Sequence, residues 1–488
     1  MSPLSPLSSC LARLRDSFSN CLRGLPLLVL MLLSGCEARA PAPNSGDTAV
    51  PVQLNDGSSR VVVHLDSLGL PVPTLSGFVY IAPETVEPLR QIGARLIQLD
   101  QLYDLVVPIT REEDGRLAAD WSALDGRLDL VRQSGARPVM ALDFTPAVLS
   151  SRPYLENSER RAVPPTSYAE WDTLVYQTVR YISDEKKIDV AYWSVWNEPD
   201  YGMFWNVDPR RYTGWAFAAG DADQWTPSTV RAAAPGAFRE VAQRIEYARL
   251  YETTVRAIKR AAPDALVGGP NLGTFSKEWM ASFLNFCYER QIPLDFVSWH
   301  YPGYEAELSV AMDWLRSWHT RRGLPAPPVV ITEWYAKVPE GTDKWTEAVE
   351  TLEIAKGYTV AGITAALYYT SGRIATPETG KNTPIGIAFQ VLGKLAGRQI
   401  WCETPEGVHV LASQEADGRV NLALWTSRAM SEPVHLAFPA GRFRNCAVAI
   451  QYETQSPLIE SRSPFNGAPV TITIPASERF IGSVTLMP

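Results

Sequence analysis

Two glutamates, Glu198 and Glu333, each end an apolar, β-favouring run of the chain. Glu198 follows Tyr-Trp-Ser-Val-Trp-Asn at 192–197, and Glu333 follows Val-Val-Ile-Thr at 329–332. Both runs are typical of buried strands, and Pro199, which lacks a backbone N–H, predicts that the first strand stops there with Glu198 in an extended conformation. Two carboxyl groups at strand ends can work as a pair, one as a general acid and one as a base. The sequence therefore predicts a two-carboxylate site.

The elements that position these glutamates alternate between short strands and longer amphipathic segments. Eight candidate strands lie at 77–81, 94–99, 138–144, 190–196, 266–269, 296–299, 329–332 and 365–369. Helical patterns separate them at 121–133, 168–182, 238–262, 277–290, 305–320, 344–356 and 387–395. Eight strand–helix units predict an α/β fold of the (β/α)₈ TIM barrel type, whose active sites lie at the carboxyl ends of the strands. Both glutamates fall at that edge, on the fourth and seventh strands.

The pattern changes after Gly397. Short alternating runs at 408–413, 420–426, 434–438, 447–452 and 470–474 follow each other with turn residues between them. We therefore predict a catalytic barrel over 61–397 and a small β-sandwich over 398–488. Within the second domain, Cys402 and Cys446 fit either a disulfide or two buried thiols.

The amino terminus is predicted to be an export signal over 1–35, with three arginines ahead of an apolar run at 25–33 that is too short for a membrane span. Its end, Leu33-Ser34-Gly35-Cys36, resembles the lipobox of bacterial lipoproteins, which implies a lipid on Cys36 and a membrane anchor. Glu37 implies, by the same resemblance, the outer membrane. Ala38-Arg39-Ala40 also fits ordinary cleavage, which would release the protein. Residues 36–60 are predicted to form a flexible tether.

The composition limits the kinds of binding partner that we expect. The net charge is −8, and it becomes −10 when three arginines and one aspartate leave with the signal. An acidic exported chain gives no reason to expect a nucleic-acid partner. The sequence has no phosphate-binding loop and no metal-ligand cluster, so we expect neither a cofactor nor a metal.

The glutamate motifs resemble a known group of enzymes. Trp196-Asn197-Glu198-Pro199 with Ile331-Thr332-Glu333-Trp334 is similar to the clan of retaining glycoside hydrolases that carry glutamates on barrel strands four and seven. Segments 247–252, 258–260 and 263–270 resemble the fourth helix and fifth strand of glycoside hydrolase family 39, and the resemblance spans roughly 75–400.

The resemblance implies roles for individual residues. Glu198 would be the acid/base with a raised pKa, and Glu333 would be an ionised nucleophile about 5–5.5 Å away. Asn197 would bind the sugar 2-hydroxyl. His300 resembles the family's substrate-contacting histidine, and Tyr301 or Tyr304 would replace a tyrosine that the family places at position 302.

Other rim positions depart from the family pattern. Tyr369 aligns with a tryptophan that floors the sugar subsite. Strand two carries Arg95 but has Ile97 where the family has histidine. Asp143, at the end of strand three, fits either a hydroxyl contact or a cap on the next segment. A long loop at 201–237 contains aromatic residues that could stack on sugars or pack the loop down, namely Trp205, Trp215, Phe217 and Trp225.

These features predict a retaining glycoside hydrolase of an oligo- or polysaccharide, with a cell-surface exopolysaccharide as the favoured substrate. An exo-acting β-xylosidase is the first alternative. A non-catalytic carbohydrate-binding or polysaccharide-assembly lipoprotein is the second, and transglycosylation is the third. The sequence indicates no oligomeric state.

Overall fold

A computed structural model describes residues 59–208, 235–301, 305–376, 379–438, 441–454, 457–462, 470–475 and 477–488, all within one compact unit that begins at residue 56. The predicted signal, Cys36 and most of the tether lie outside the described residues, and so do Trp215, Phe217, Trp225 and Tyr304. Across the described helices, none is both long and apolar enough to cross a membrane.

Eight parallel strands close into a barrel, as predicted. Each observed strand begins and ends within three residues of its predicted bounds. From the first to the eighth they are Thr74–Val79, Leu96–Leu99, Arg137–Leu142, Tyr192–Val195, Val267–Leu272, Phe296–Tyr301, Val329–Trp334 and Ala365–Tyr368.

Side chains alternate between the barrel axis and the surrounding helices. Leu96, Val139, Phe296, Val330 and Leu367 form a buried cluster inside the barrel. Because successive residues of a strand point to opposite faces, residues two and four positions further along these strands point to the axis nearer the carboxyl edge. Polar side chains at those positions therefore face the site.

Helices cover the outside of the barrel. They are Val86–Gln91, Ser122–Ser134, Asn157–Arg161, Tyr168–Arg180, Pro235–Ala261, Lys277–Glu289, Glu305–Thr320, Lys344–Ala361 and Pro384–Leu392. Asp343 caps the helix after strand seven by accepting from the N–H groups of Trp345 and Thr346. This helix runs five residues past its predicted end, because the left-handed residue that terminates it is Gly362. A short hairpin, Ile109–Arg111 with Leu117–Ala119, follows strand two.

A nine-stranded sheet forms the second region and encloses its own apolar core, which confirms the predicted β-sandwich. Its carboxyl-terminal strands are Arg398–Glu403, Val408–Gln414, Val420–Thr426, Val434–Phe438, Asn445–Tyr452, Leu458–Arg462, Val470–Ile474 and Phe480–Met487. The first, sixth and eighth of these strands were not predicted from the sequence. No disulfide joins Cys402 to Cys446.

The ninth strand changes the expected domain boundaries. Ser59–Pro71 was divided between the tether and the barrel, but it pairs antiparallel with Arg398–Glu403 and parallel with Val434–Phe438. Its inward residues Val61 and Val63 belong to the core of the sandwich. The chain therefore enters the sandwich before it builds the barrel and returns to the sandwich afterwards.

Polar contacts join the two regions. Glu353, on the helix after strand seven, accepts from Trp425 Nε1 at 2.6 Å and lies 2.8 Å from His409 Nδ1. Lys394 donates to Ser483 Oγ at 2.7 Å. These contacts hold the sandwich against the barrel wall.

Candidate active site

The turn after strand four aims Glu198 into the site. Trp196 has φ +66° and Glu198 has φ +46°, a left-handed region that costs non-glycine residues about 1–3 kcal/mol each. Buried contacts hold Trp196 in place: its Nε1 donates to Phe204 O at 3.0 Å, and its ring centroid lies 4.7 Å from that of Trp205. The predicted extended conformation of Glu198 is therefore wrong. Its N–H donates instead to Asn271 O at 2.9 Å, a tertiary contact that outweighs the local effect of Pro199.

Asn271 ties the strands of this half of the barrel together. The side chain of Asn271 is buried. Its Nδ2 donates to Ser194 Oγ on strand four and, at 2.7 Å, to Trp196 O just after that strand. Its Oδ1 accepts from Ser298 Oγ on strand six and, at 3.2 Å, from Thr332 Oγ1 on strand seven. One side chain thus fixes the spacing between the strands that carry the two glutamates. Asn271 was not predicted from the sequence, because an asparagine inside the run 267–272 has no local signature.

His300 connects the two predicted catalytic residues. Its Nδ1 lies 2.8 Å from Glu198 Oε1 and 3.8 Å from Glu333 Oε2. The two carboxylate oxygens are therefore separated by no more than the sum of these distances, a limit that admits the roughly 5–5.5 Å spacing of a retaining pair. All three side chains are largely buried, with 6%, 16% and 22% exposed for His300, Glu198 and Glu333.

The electrostatics follow from burial and mutual proximity. Burial raises the pKa of Glu333 above its usual value, Glu198 adds to the rise, and the His300 imidazole opposes it. Burial lowers the pKa of His300, but Glu333 and Glu198 reverse this effect, so the net pKa is raised. Burial also raises the pKa of Asp200 to about 6. A raised pKa at Glu333 works against the ionised form expected of a nucleophile, and His300 is the group that favours that form.

Two further predicted residues lie at the site. Asn197 is half-buried beside Glu198 at the end of strand four. Tyr369 follows strand eight with 37% of its surface exposed, and its ring lies 5.8 Å from that of Tyr80 at the end of strand one. Tyr80, which the sequence analysis did not select, feels the charge of Glu333, so this aromatic pair borders the carboxylates.

The structure places two predicted substrate contacts, Arg95 and Tyr301, away from the two glutamates. Arg95 precedes strand two, so it lies at the amino end of the barrel, where its Nη2 donates to Leu395 O at 3.1 Å. Tyr301 points outward from strand six and packs on Tyr358 of the covering helix, with ring centroids 5.8 Å apart. The alternation of the strand gives the inward position to His300 and the outward one to Tyr301.

Asp143 caps a turn, but a different one from the predicted next segment. Its Oδ1 accepts from Leu102 N at 3.0 Å and so caps the turn Leu102–Val106, which follows strand two rather than strand three. Its Oδ2 is buried without a partner. Asp100 lies beside it at the end of strand two and was also missed, although it follows an apolar run just as Asp143 does.

The fold and the site together define a class: (β/α)₈ barrels with paired glutamates at the carboxyl ends of strands four and seven. Comparison with known proteins agrees. Residues 89–236 and 235–314 match the profile of glycosyl hydrolases family 39. A β-xylosidase of Geobacillus stearothermophilus is 29% identical over 272 residues, which are 50% of this chain and 47% of the relative. A β-xylosidase of Caldicellulosiruptor saccharolyticus is 29% identical over 197 residues, covering 39% of this chain and 33% of the relative.

Solved structures share the fold over a longer stretch. The GH39 enzyme from Xanthomonas axonopodis pv. citri has a TM-score of 0.66 at 19% identity, covering 89% of this chain and 99% of that one. A β-xylosidase from Caulobacter crescentus CB15 has a TM-score of 0.64 at 17% identity, covering 88% and 100%. The chain belongs to glycoside hydrolase family 39. It spans about half the length of the curated relatives it matches, 47% in the first case.

Proposed function

We propose that the protein is a retaining glycoside hydrolase that cleaves an oligo- or polysaccharide through a covalent glycosyl–enzyme intermediate. The observation that carries this proposal is the contact of His300 with both Glu198 and Glu333, which puts two barrel-edge carboxyls within reach of one glycosidic bond. A pure binding protein has no need of such a pair. The raised pKa of Glu333 and the left-handed turn at Glu198 are features that accompany catalytic sites.

The first step divides the work between the two glutamates. Glu198 donates its proton to the departing glycosidic oxygen while the Glu333 carboxylate attacks the anomeric carbon. The bond from the anomeric carbon to the leaving oxygen breaks, and an ester to Glu333 forms. Asn197, beside the acid, hydrogen-bonds the 2-hydroxyl of the same sugar.

The second step reverses these roles. Glu198, now ionised, takes a proton from water, and the water oxygen attacks the anomeric carbon to release Glu333. His300 acts as a positioning residue through its 2.8 Å contact with Glu198, and its positive charge favours the ionised form of Glu333. A sugar hydroxyl in place of water would give transglycosylation through the same ester.

The substrate we favour is a cell-surface polysaccharide. The lipobox-like segment ending at Cys36 supports this choice, because an anchored enzyme acts on polymers at the envelope. An exo-acting β-xylosidase is the second candidate, supported by the names of both curated relatives. Anchoring itself is tested by fractionating cells that express the full chain: we expect membrane association that Cys36→Ala abolishes, and soluble wild type would contradict it.

Intact-protein mass spectrometry tests the reaction. A fragment over 41–488 is incubated with activated 2-fluoro glycosides of xylose, glucose, galactose and mannose, with Glu333→Gln as the control. We expect one probe to add the mass of one fluorosugar to wild type and nothing to the variant. A folded wild-type fragment that reacts with no probe and also fails to digest surface polysaccharide would support a binding protein instead.

A further inference from the structure

An apolar cavity lies at the amino end of the barrel, away from the candidate active site. Its volume is about 360 Å³, and Val297, Pro328 and Val329 line it at the start of strands six and seven. His300 and Glu333 lie three and four residues further along the same two strands. Because a strand rises about 3.3 Å per residue, the cavity is about 10–13 Å behind these side chains, at the opposite end of the barrel.

Exposed aliphatic side chains border this cavity. Leu70, from the strand Ser59–Pro71, lines the cavity and is 53% exposed, so the cavity reaches the surface there. Leu70 Cδ1 lies 3.3 Å from the position that a Cβ on Gly362 would take. Val360, two residues before Gly362, is 71% exposed. Exposed apolar groups that adjoin one another in this way are typical of an interaction surface, unlike single scattered ones.

A tryptophan extends the apolar surface onto the sandwich. Gln399 Nε2 donates to Thr359 O at 3.0 Å, directly before Val360. Trp401 follows Gln399 by two positions on the strand Arg398–Glu403, so both side chains point to the same face. Trp401 is 56% exposed, and its ring lies 4.4 Å from that of His64. Tryptophan is a residue that favours the boundary between water and lipid head groups.

The segments around the cavity are basic, although the whole chain has a net charge of −8. Residues 313–328, 359–364 and 397–401 contain one acidic residue, Asp313, and four arginines, namely Arg316, Arg321, Arg322 and Arg398. Asp313 lies 3.2 Å from Arg316, and Asp295, which precedes strand six, lies 3.0 Å from Lys259. Arg316 itself lines the cavity, and Arg398 pairs with Pro71, next to Leu70. Positive charge is therefore in excess around the exposed apolar groups.

We propose that this docking face, formed by Leu70, Val360, Trp401, Arg316 and Arg398 around the cavity, binds a membrane surface that contains anionic phospholipids. The apolar side chains enter the boundary between head groups and acyl chains, and the arginines face the phosphates. Docking at the amino end of the barrel leaves the candidate active site open on the side away from the membrane.

The charge of the docking face favours lipid over a second copy of the chain. A two-fold dimer through this face would bring the same arginines of both copies together, whereas anionic head groups neutralise them. The lipid predicted on Cys36 points to the same partner. The inference goes beyond the proposed glycosidase, because docking requires neither the reaction nor that lipid.

Co-sedimentation with vesicles tests this proposal on the fragment over 41–488, which lacks Cys36 and contains the whole compact unit. One set of vesicles has equal parts of phosphatidylglycerol and phosphatidylcholine, and the other has phosphatidylcholine alone. Wild type is compared with Leu70→Glu, which puts a charge into the apolar surface, and with Arg398→Glu, which reverses one of its charges.

Leu105→Glu and Arg116→Glu are the matched controls. They change exposed residues of the same two types in the segment after strand two, at the carboxyl end of the barrel. Thermal unfolding checks that each variant folds.

We expect wild type to bind the anionic vesicles at least about tenfold more tightly than the phosphatidylcholine vesicles, and about 0.5 M NaCl to remove most of this difference. Leu70→Glu and Arg398→Glu should each weaken binding to the anionic vesicles at least about fivefold. The two control variants should stay within about twofold of wild type.

Three results would overturn the docking face. Wild type could bind neither kind of vesicle or both equally, or the test variants and the controls could lose binding to the same extent. Analytical ultracentrifugation could also show a wild-type dimer that Leu70→Glu dissociates, without binding to vesicles, which would mean that a second copy covers this face. None of these results bears on the glycosidase, because hydrolysis of aryl glycosides is measured separately and without vesicles.

Discussion

The two halves of the barrel rim differ in how their polar groups are satisfied. On strands four to seven, Asn271 hydrogen-bonds to groups on strands four, six and seven, and His300 Nδ1 lies 2.8 Å from Glu198 and 3.8 Å from Glu333. On strands two and three, the inward polar side chains Gln98, Asp100 and Asp143 each keep an oxygen without a partner. Among these side chains, the first half leaves His300 Nε2 buried without a partner, and the second half leaves three oxygens so.

This difference separates reaction from specificity. A catalytic pair has to be held in one geometry before substrate arrives, so its supporting hydrogen bonds are internal. A subsite has to leave donors or acceptors open for the sugar. The half that resembles family 39 is the prewired one. The half that departs from the family keeps buried oxygens without partners, and we call it the open half. The departures found at strands two, three and eight therefore bear on the sugar and not on the reaction.

Removing the nucleophile gives the largest effect. Glu333→Gln should lower kcat/KM by about 10⁴-fold or more, since no other group in the prewired half can form the ester. Hydrolysis of the best aryl glycoside measures it, with Glu350→Gln on the exposed helix surface as the control. Residual activity within tenfold of wild type would break the assignment.

Glu198→Gln should produce a loss that depends on the leaving group. A poor leaving group needs the proton that Glu198 supplies, so its kcat/KM should fall about 10²–10⁴-fold, whereas formation of the ester from a 2,4-dinitrophenyl glycoside should fall far less. Comparing the two substrates measures the contrast. Equal losses on both would assign Glu198 a structural role instead.

Asn271→Ala tests how far the prewired half depends on the hydrogen bonds of this side chain. The change leaves the hydroxyls of Ser194, Ser298 and Thr332 without their shared partner. We expect a loss of stability of about 1–3 kcal/mol and a fall in kcat of about 10²-fold with little change in KM. Urea unfolding and steady-state kinetics give the two numbers. A rise in KM with unchanged kcat would instead assign Asn271 to the open half.

His300→Asn should move the acid limb of the pH profile. Glu333 has to be ionised to attack, and its raised pKa means that kcat/KM is lost at a higher pH than for an ordinary glutamate as the pH falls. His300 opposes that rise, so removing it should shift the acid limb to still higher pH. His435→Asn, in the sandwich, should leave the profile unchanged. A shift to lower pH would contradict the positive charge assigned to His300.

The smallest effects are expected for Arg95 and Tyr301, the two predicted substrate contacts that lie away from the site in the structure. Arg95→Ala and Tyr301→Phe should keep kcat/KM within about twofold of wild type, because Arg95 lies at the amino end of the barrel and Tyr301 faces the covering helix. A tenfold loss of kcat/KM in either variant would assign that residue to the open half of the rim.

The features predicted correctly from the sequence are those that leave a local pattern in the chain. The eight strands and both glutamates follow from apolar runs and the residues that end them. Ser59–Pro71 was misassigned because its partners lie more than 300 residues away in the chain, and no local pattern reports that pairing. Arg95 was selected from its place in the family's strand-two pattern, whereas Asp100 was missed although it directly follows the correctly predicted end of that strand at Leu99. The turn at Glu198 depends on Asn271, a tertiary contact that Pro199 does not reveal.

The stereochemistry of the first product tests the central claim most directly. Proton NMR, recorded during hydrolysis of the best aryl glycoside and before mutarotation, identifies the anomer that wild type releases. Double displacement through Glu333 predicts a product with the same anomeric configuration as the substrate. A product of inverted configuration would mean that water attacks directly, and it would contradict the role assigned to Glu333.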